Sequence, residues 1–428
     1  MTIPADGKPT IAVLGNMNNN GFAQMRYFRD LGAEAVVMPF STDAAGAAAH
    51  FAPQSDTYRW DEWRDYVRPL PVPNSNEAIV GKPHRLRGPT SLGPLREALA
   101  AFDHVLGTGI APALMERIER PLDGFGPYSV GIEFYGTPRF AAIARQRSLR
   151  GMLHRRVQRL QARGIRRAGV CFNADMGLTR ESFEQLDVAF EPLPMPMVYN
   201  GEPYAGGSLT GPVRQAADRM RAADLALFTA SRQLWVRPDG LSERGWQCTN
   251  KNSDWLFRAL AAFLQRFPKA RPLLVAVEYG ADVDSSKRLA AELGIEQFVL
   301  WLPVIPRREI LGLLAYADIG CGEFLVEDGL LWGGTGFEVL SAGRPLLQTL
   351  NFTHDDFVRR FGYAPPPLLD AKSCDEVTIR IGEIFEDRGR AARIGSASAE
   401  WFDAHAGIGL ARRWLDAVLG ARRERERR

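Results

Sequence analysis

Two cations stand at positions where a phosphate group can be held. Arg232 follows the apolar run "LALFTAS", which predicts a strand, and Lys251 precedes the apolar-periodic run 254–267, which predicts a helix. Arginine can bind a diphosphate through two hydrogen bonds, lysine acts as a compact point charge, and a helix N-terminus adds a favourable dipole. The pattern therefore indicates a diphosphate site. The alternative is a pair of solvated surface cations.

The segment "GTGFEVLSAGRPLLQTL" combines a permissive backbone with a single carboxylate. Gly333, Gly334 and Gly336 allow close approach of a ligand, and their amides can face a phosphate. We expect Glu338 in the first turn of an apolar helix that ends at Gly343. Two interpretations of Glu338 stay open: the helix dipole alone accounts for a carboxylate there, or the carboxylate accepts two hydrogen bonds from a ribose diol.

Strand-like and helix-like segments alternate along most of the chain, which is the pattern of parallel α/β domains. The stretch "YNGEPYAGGSLTGP" is rich in glycine and proline and predicts a linker. We predict an N-terminal domain over 1–205, a linker over 206–222 and a C-terminal domain over 223–400, with a terminal helix over 401–428 that can pack back on the first domain. Ligands of such domains bind at the carboxyl ends of the strands, and two domains that face each other form a cleft.

Composition excludes several classes of protein. The chain has 428 residues, 46% of them hydrophobic and 24% charged, which is ordinary for two soluble domains. The four cysteines are far apart and form no CxxC pair, which argues against a zinc site or a disulfide framework. The N-terminus has no secretory pattern, and no window approaches the ~18 to 20 apolar residues of a membrane span. We expect a cytoplasmic protein, able to lie at the inner face of the membrane.

Positive charge is concentrated in one segment. Residues 145–167 carry nine arginines and no acid, and the tail 421–428 carries +3, so the rest of the chain sums to −9 within a net charge of +3. Leu149, Leu153 and Val157 follow a helical spacing within the first of these segments. Such a helix can lie on an anionic membrane surface, or it can pack through its leucines with a solvated arginine face. Nucleic-acid binding is not expected, because no recognition motif accompanies the charge.

The order of motifs in the second half resembles retaining, nucleotide-sugar-dependent glycosyltransferases of group 1 (family four). The match covers roughly 225–400 and includes "KNSDWLFRAL", "AELGI", "ADIGCGEF" and "GTGFEVLSAGRPLL". The resemblance implies the GT-B fold, which is an α/β fold with two Rossmann-like parallel-sheet domains that face a central cleft. It also implies a reaction that needs neither a metal nor another cofactor beyond the nucleotide-sugar donor.

The resemblance implies roles for individual residues. Arg232 and Lys251 would hold the donor diphosphate as catalytic groups, Glu338 would bind the ribose, and the backbone of Gly334, Thr335 and Gly336 would approach the donor. In the first domain, "GNMNNNGFAQ" is similar to the first strand–helix unit of some members, which places Gly15 near the donor phosphates or the acceptor. The stretch "EFYGTPRF" is similar to an acceptor-side loop of the family, and its matching residues are Gly136, Thr137 and Arg139.

One position departs from the family pattern. Members usually carry two glutamates eight positions apart, the first of which contacts the transferred sugar, and here Leu330 stands eight positions before Glu338. Glu323, Glu327 or Asp328 can take that place if the loop is shifted. Otherwise the sugar is held differently or the activity has been lost.

The sequence thus predicts an enzyme that moves a sugar, with retention of configuration, from a nucleotide-diphosphate donor to a glycan or lipid-linked acceptor, as in polysaccharide biosynthesis. Two alternatives stay open. One is a GT-B epimerase or phosphorylase, and the other is a non-catalytic relative that binds a nucleotide sugar or a partner.

Overall fold

A computed structural model describes most of the chain. The described residues are 7–41, 52–70, 72–73, 75–81, 87–127, 145–174, 177–202, 204, 208–247, 249–325 and 334–427. They form two compact units: Met1–Tyr199 together with Ala406–Arg428, and Asn200–His405. In the described part of the chain, no helix is both long enough and apolar enough to cross a membrane.

The first unit is built on a parallel sheet with the strand order β2-β1-β3-β4-β5. The strands are β1 Thr10–Leu14, β2 Glu34–Met38, β3 His104–Gly107, β4 Gly124–Phe125 and β5 Val170–Cys171. The central strands are continuous apolar runs, as expected where helices cover both faces of a sheet. The helices are α1 Asn20–Asp30, α2 Trp60–Trp63, α3 Asn76–Val80, α4 Gly93–Leu99, α5 Ala111–Arg117, α6 Leu149–Arg166 and α7 Gly177–Leu186.

The second unit has a parallel sheet of six described strands in the order β11-β10-β9-β6-β7-β8. The strands are β6 Leu225–Thr229, β7 Pro272–Val277, β8 Val299–Leu302, β9 Ile319–Cys321, β10 Leu346–Gln348 and β11 Leu369–Asp370. The helices are α8 Gly211–Ala222, α9 Glu243–Gln247, α10 Asp254–Arg266, α11 Val283–Glu292, α12 Arg307–Leu314, α13 Gly334–Ser341, α14 His354–Phe361, α15 Cys374–Glu386 and α16 Arg388–His405.

Each sheet reverses its winding direction at one place. In the first unit this switch lies between β1 and β3, and in the second it lies between β6 and β9. Loops that leave adjacent strands in opposite directions open a crevice at the carboxyl edge, which is where open α/β sheets bind ligands. The strand order therefore singles out the loops after β6 and β9.

The last helix, α17 (Ile408–Arg427), belongs to the first unit. Its Trp414 is 1% exposed and stacks on Phe172, with 3.7 Å between the ring centroids. The indole Nε1 donates to the Pro194 carbonyl at 2.8 Å. This helix thus completes a core cluster that also contains Phe22 and Phe28 of α1.

Several boundaries differ from the sequence predictions. Residues 211–222, assigned to the linker, form α8 of the second unit, where Thr210 precedes the helix and Pro212 stands in its first turn. The predicted terminal helix 401–428 is divided, and Trp401 stays in the second unit. The strands β4 and β11 were not predicted, because two residues carry no periodic pattern. The predicted strand "YSVGIEF" lies outside the described residues.

Candidate functional site

Lys251 lies in the loop between β6 and α10, at the switch point of the second sheet. Its amide donates to the Leu234 carbonyl at 2.8 Å, and its own carbonyl accepts from the Phe324 amide at 3.1 Å. Its ammonium group forms an ion pair with the carboxylate of Glu323, which follows β9. The two side chains are only 15% and 12% exposed. The fold therefore brings these two residues together, and the lysine is held next to a carboxylate of its own chain.

Asn252 fixes the geometry of this pair. It adopts a left-handed conformation with φ 44°, and its Nδ2 donates to the Phe324 carbonyl at 2.7 Å. Its own amide is bound by the Asn250 side chain at 2.9 Å. Asparagine tolerates this backbone region better than most residues. The loop after β6 is thus tied to the loop after β9 at Lys251 and at Asn252, which limits how far the backbone that carries the ammonium group can move.

Arg232 lies near this loop but is not drawn into the ion pair. Its carbonyl accepts from Ser253 Oγ at 3.2 Å, so its backbone adjoins the segment that carries Lys251. Its side chain is exposed, with the guanidinium carbon 5.5 Å from the centroid of the Tyr279 ring. Among the described residues no carboxylate pairs with Arg232. The arginine therefore keeps a charge that an incoming anion can meet.

Glu338 is placed differently from the sequence expectation. The described part of α13 begins at Gly334, so Glu338 lies in the second turn rather than the first. The helix dipole acts mainly within the first turn and is too remote to account for this carboxylate by itself. Glu338 is 6% exposed, and its Oε1 accepts from Nε of Arg307 at 2.8 Å. A buried carboxylate requires such a partner because water is excluded from it.

Arg307 was missed by the sequence predictions. It is the first residue of α12, follows Pro306, and is 11% exposed in its side chain. Both α12 and α13 begin at the carboxyl edge of the sheet, after β8 and after β9. The same strand-end rule that selected Lys251 therefore applied to the sequence "LPVIPRREI", and it would have selected Arg307.

Gly334, Thr335 and Gly336 form the first turn of α13. The first amides of a helix have no partner within the helix, so this turn presents donors at the carboxyl edge of the sheet. Among the described residues, no atom lies within 4 Å of the position that a Cβ would take at Gly334. Packing within the described part of the chain therefore does not require glycine there, and the missing side chain leaves the amides accessible.

Gly15 lies at the switch point of the first unit, after β1. It has φ 94°, and a Cβ there would lie 2.5 Å from Oγ1 of Thr108, which follows β3. The asparagine turn after Gly15 is internally bonded: Asn16 Oδ1 accepts from the Phe22 amide at 2.8 Å, and Asn16 Nδ2 donates to Asn19 Oδ1 at 2.8 Å. Backbone and packing thus require glycine at this position whether or not a ligand binds beside it.

A buried ion pair in the first unit was also not predicted. Arg26 of α1 donates to Asp56 at 3.1 Å, and the two side chains are 0% and 1% exposed. The guanidinium carbon lies 4.2 Å from the ring centroids of both Phe22 and Tyr199. These contacts join α1 to the 52–57 segment and to the end of the first unit, so the pair organises the fold around the asparagine turn.

Other sequence candidates are not located. The acceptor-side residues Gly136, Thr137 and Arg139 lie outside the described residues, as do Glu327, Asp328, Leu330 and Gly333. Within the described ranges, no group of three or more histidine, cysteine, aspartate or glutamate side chains is arranged to hold a metal ion. Burial raises the pKa of the Cys321 thiol in β9, so this cysteine next to the site stays protonated at neutral pH and is not a nucleophile.

Comparison with known proteins identifies the fold. No family model matches the chain. A curated relative, the GDP-mannose-dependent α-(1-6)-phosphatidylinositol monomannoside mannosyltransferase of Mycolicibacterium smegmatis, is 28% identical over 159 residues. That match covers 35% of this chain and only 40% of the relative's length.

Solved structures match over nearly the whole chain. HepE of Anabaena in complex with UDP has a TM-score of 0.58 and 14% identity, with 96% of this chain and 100% of that chain covered. Sucrose-phosphate synthase of Thermosynechococcus elongatus has a TM-score of 0.53 and 11% identity, with 98% and 99% covered. The chain therefore has the fold of the GT-B glycosyltransferases, with two Rossmann-like parallel-sheet domains, as the sequence predicted.

Proposed function

We propose that the protein is a glycosyltransferase that moves a sugar from a nucleotide-diphosphate donor to a glycan or lipid-linked acceptor with retention of configuration. The observation that carries the proposal is the placement of Lys251, Glu338 and the first turn of α13 at the carboxyl edge of one sheet. A cation, accessible amides and a carboxylate suit the diphosphate and the ribose of a nucleotide. The partial match to a mannosyltransferase supports the same class.

The donor to test first is GDP-mannose. The curated relative uses GDP-mannose by name, and HepE was solved with UDP and with UDP and glucose, which makes UDP-glucose the second choice. The groups described at the site are backbone amides, cations and a carboxylate, which are proposed to meet the diphosphate and the ribose that both nucleotides share. The base and the sugar are therefore proposed from the relatives and not from the contacts at the site.

The chemistry required of the protein is stabilisation of a leaving group. The bond between the anomeric carbon of the sugar and the bridging oxygen of the donor β-phosphate breaks, and that oxygen leaves with the diphosphate. An acceptor hydroxyl oxygen bonds to the same carbon on the same face. The proton of the hydroxyl passes to the departing phosphate oxygen. Negative charge grows on the diphosphate, and Lys251, Arg232 and the amides of Gly334 to Gly336 would stabilise it. A fixed cation suits this role because it need not reorganise during the reaction.

The ion pair with Lys251 indicates a further role for Glu323. The sequence predicts that Glu323 contacts the donor, and in the structure its carboxylate is paired with Lys251. We propose that it neutralises the lysine until a diphosphate arrives. A carboxylate beside a diphosphate is repulsive, so the donor must displace or outweigh it.

The helix α6 supports a membrane-bound acceptor. Its second half belongs to the first unit: Val157 is fully buried, and Arg163 and Arg167 pair with Glu116 at 3.4 and 2.9 Å. Its first turn differs, because Leu149 and Met152 are 57% and 51% exposed next to several exposed arginines. Apolar side chains surrounded by arginines suit an anionic lipid surface.

The test is binding followed by turnover with the full chain. In a thermal-shift screen of GDP, UDP, ADP, CMP and dTDP and their sugars, one nucleotide should raise the melting temperature. Replacing Lys251 by alanine should lower the affinity for that nucleotide roughly 10- to 150-fold, which is the effect of losing a hydrogen bond to a charged group. The control is Lys269→Ala, an exposed lysine after α10 at the opposite edge of the sheet.

The outcomes separate the alternatives. Sugar transfer, or slow hydrolysis of the donor, supports a working enzyme. Tight binding of a nucleotide sugar without either reaction would favour the alternative that the protein is a non-catalytic relative, which was raised because Leu330 stands where the family usually has a glutamate. If no nucleotide binds, or if Lys251→Ala binds as well as the wild type, the proposed donor site is wrong.

A further inference from the structure

Arg307 and Glu338 form a mostly buried ion pair between two helices. Arg307 Nε donates to Glu338 Oε1 at 2.8 Å, and the side chains are 11% and 8% exposed. Arg307 begins α12, after the edge strand β8, and Glu338 lies in α13, after β9 near the switch point. Two elements that leave different strands thus meet at one carboxylate.

The pair leaves half of the carboxylate open. Arg307 occupies Oε1, and among the described residues Oε2 accepts no hydrogen bond. An ionised carboxylate has about four acceptor positions on its two oxygens. Most of its capacity to accept hydrogen bonds therefore remains for donors that come from outside the described chain, such as the two hydroxyls of a ribose.

The arginine also determines the direction of the carboxylate. Glu338 lies beyond the first helical turn, so the dipole and the free amides of α13 do little to orient it. Arg307, which donates through Nε, holds one carboxylate oxygen in a fixed direction.

We infer that Arg307 is a positioning residue that holds Glu338 oriented for the ribose diol, and that the pair sets the preference for ribonucleotides over deoxyribonucleotides. The inference rests on the proposed function, because it requires the second unit to bind a nucleotide. Loss of Arg307 would leave Glu338 in place but free to turn, so its contact with the ribose would weaken.

A purely structural pair predicts something else. If Arg307 only joins α12 to α13, its replacement lowers the melting temperature. It then also lowers the affinities for ribonucleotides and for deoxyribonucleotides by the same factor. The ratio of the two affinities separates the two roles, since a general loss of folded protein cancels in that ratio.

The experiment measures, by calorimetric titration of the full chain, the affinities of GDP and 2′-deoxy-GDP, or of UDP and 2′-deoxy-UDP if the screen selects uridine. The wild type should prefer the ribonucleotide roughly 10-fold or more, the effect of a hydrogen bond to a charged group. Arg307→Gln should reduce this preference to about 3-fold or less, and Arg307→Lys should retain part of it because the charge is kept. Arg359→Gln, which removes a pair with Asp356 on α14, is the control and should leave the preference unchanged.

Glu338→Gln distinguishes failure of the inference from failure of the proposed site. If Glu338→Gln abolishes the ribose preference but Arg307→Gln does not, the role of Arg307 is wrong and the nucleotide site stands. If nucleotides bind but neither the wild type nor any variant prefers the ribonucleotide, Glu338 does not bind ribose, and both this inference and the ribose-binding role of Glu338 are wrong. If no nucleotide binds at all, the proposed function fails and this inference fails with it. Should Arg307→Gln not fold, the same comparison is made with Arg307→Lys, and an unchanged ratio there overturns the inference.

Discussion

Lys251 and Glu323 form an ion pair across the two loops that diverge at the switch point of the second sheet. Both side chains are largely but not fully buried, with 15% and 12% of their surface exposed. The hydrogen bonds of Asn252 and Phe324 tie the same two loops together. The cation proposed to bind the donor diphosphate is therefore already neutralised by a carboxylate of the protein itself.

This pair makes the effect of removing the carboxylate predictable. Glu323→Gln should bind GDP or UDP several-fold more tightly, because a negative charge next to the diphosphate is lost. It should also lower the melting temperature of the ligand-free protein, since Lys251 is left without its partner. Titration calorimetry and thermal unfolding measure the two effects on one preparation.

The control for this variant is Glu278→Gln, which breaks the more exposed pair between Glu278 and Lys287 after β7. It should leave nucleotide affinity unchanged. If Glu323→Gln instead lowers the affinity for the nucleotide sugar and leaves the affinity for the free nucleotide unchanged, Glu323 contacts the sugar, as the sequence first suggested.

The exposed first turn of α6 should direct membrane binding. Replacing Leu149 and Met152 together by serine should abolish sedimentation with vesicles that contain anionic phospholipid, because both apolar contacts with the acyl region are lost. The control is Ile379→Ser, an apolar residue of the second unit that is 48% exposed. Equal sedimentation of the double variant and the wild type would exclude this surface.

Asp103 should contribute stability that depends on pH. The Thr10 amide donates to its Oδ2 at 3.1 Å and the Thr10 hydroxyl at 2.8 Å, and these bonds lower the pKa of the carboxyl group below its usual 3.8. A depressed pKa in the folded state means that the contribution is present above the usual pKa and is lost as the pH falls through the folded value. The effect is small because the carboxylate is exposed.

Asp103→Asn should therefore melt slightly below the wild type at pH 7, and the difference should shrink as the pH falls below the usual pKa of 3.8 and through the lower folded-state pKa. Asp65→Asn, an exposed carboxylate of the same unit, serves as the comparison. A difference between Asp103→Asn and the wild type that stays constant over this range would mean that the lost hydrogen bonds, and not the charge, account for the effect.

The stacking of Trp414 on Phe172 should determine the stability of the first unit. Trp414→Ala removes a fully buried aromatic ring and its hydrogen bond to Pro194, and it should reduce the free energy of unfolding of that unit by about 3–5 kcal/mol. Trp414→Phe should recover much of this loss but not the hydrogen bond. Calorimetry of the full chain checks the prediction, and nucleotide affinity should be unchanged because the proposed nucleotide-binding residues lie in the other unit.

The local pattern of the sequence determined the class of fold and several residues of the candidate site. Apolar runs of four to six residues such as β1 and β7, alternating with helical periods, are properties of neighbouring residues, so they can be recognised without the structure. The rule that ligands bind at the carboxyl ends of parallel strands then selected Lys251, Arg232 and Glu338. The two-residue strands β4 and β11 carry no such pattern and were found only in the sheets they join.

Only the tertiary structure decided the partners of the selected residues. Lys251 meets Glu323 because β6 and β9 are neighbours in the sheet, and Glu338 meets Arg307 because α12 and α13 pack together. Strand order and helix packing bring together residues that are distant in the chain, and no spacing in the sequence encodes them. The candidate role of a side chain could thus be predicted from its own segment. Its ionic partner came from a segment far away in the sequence.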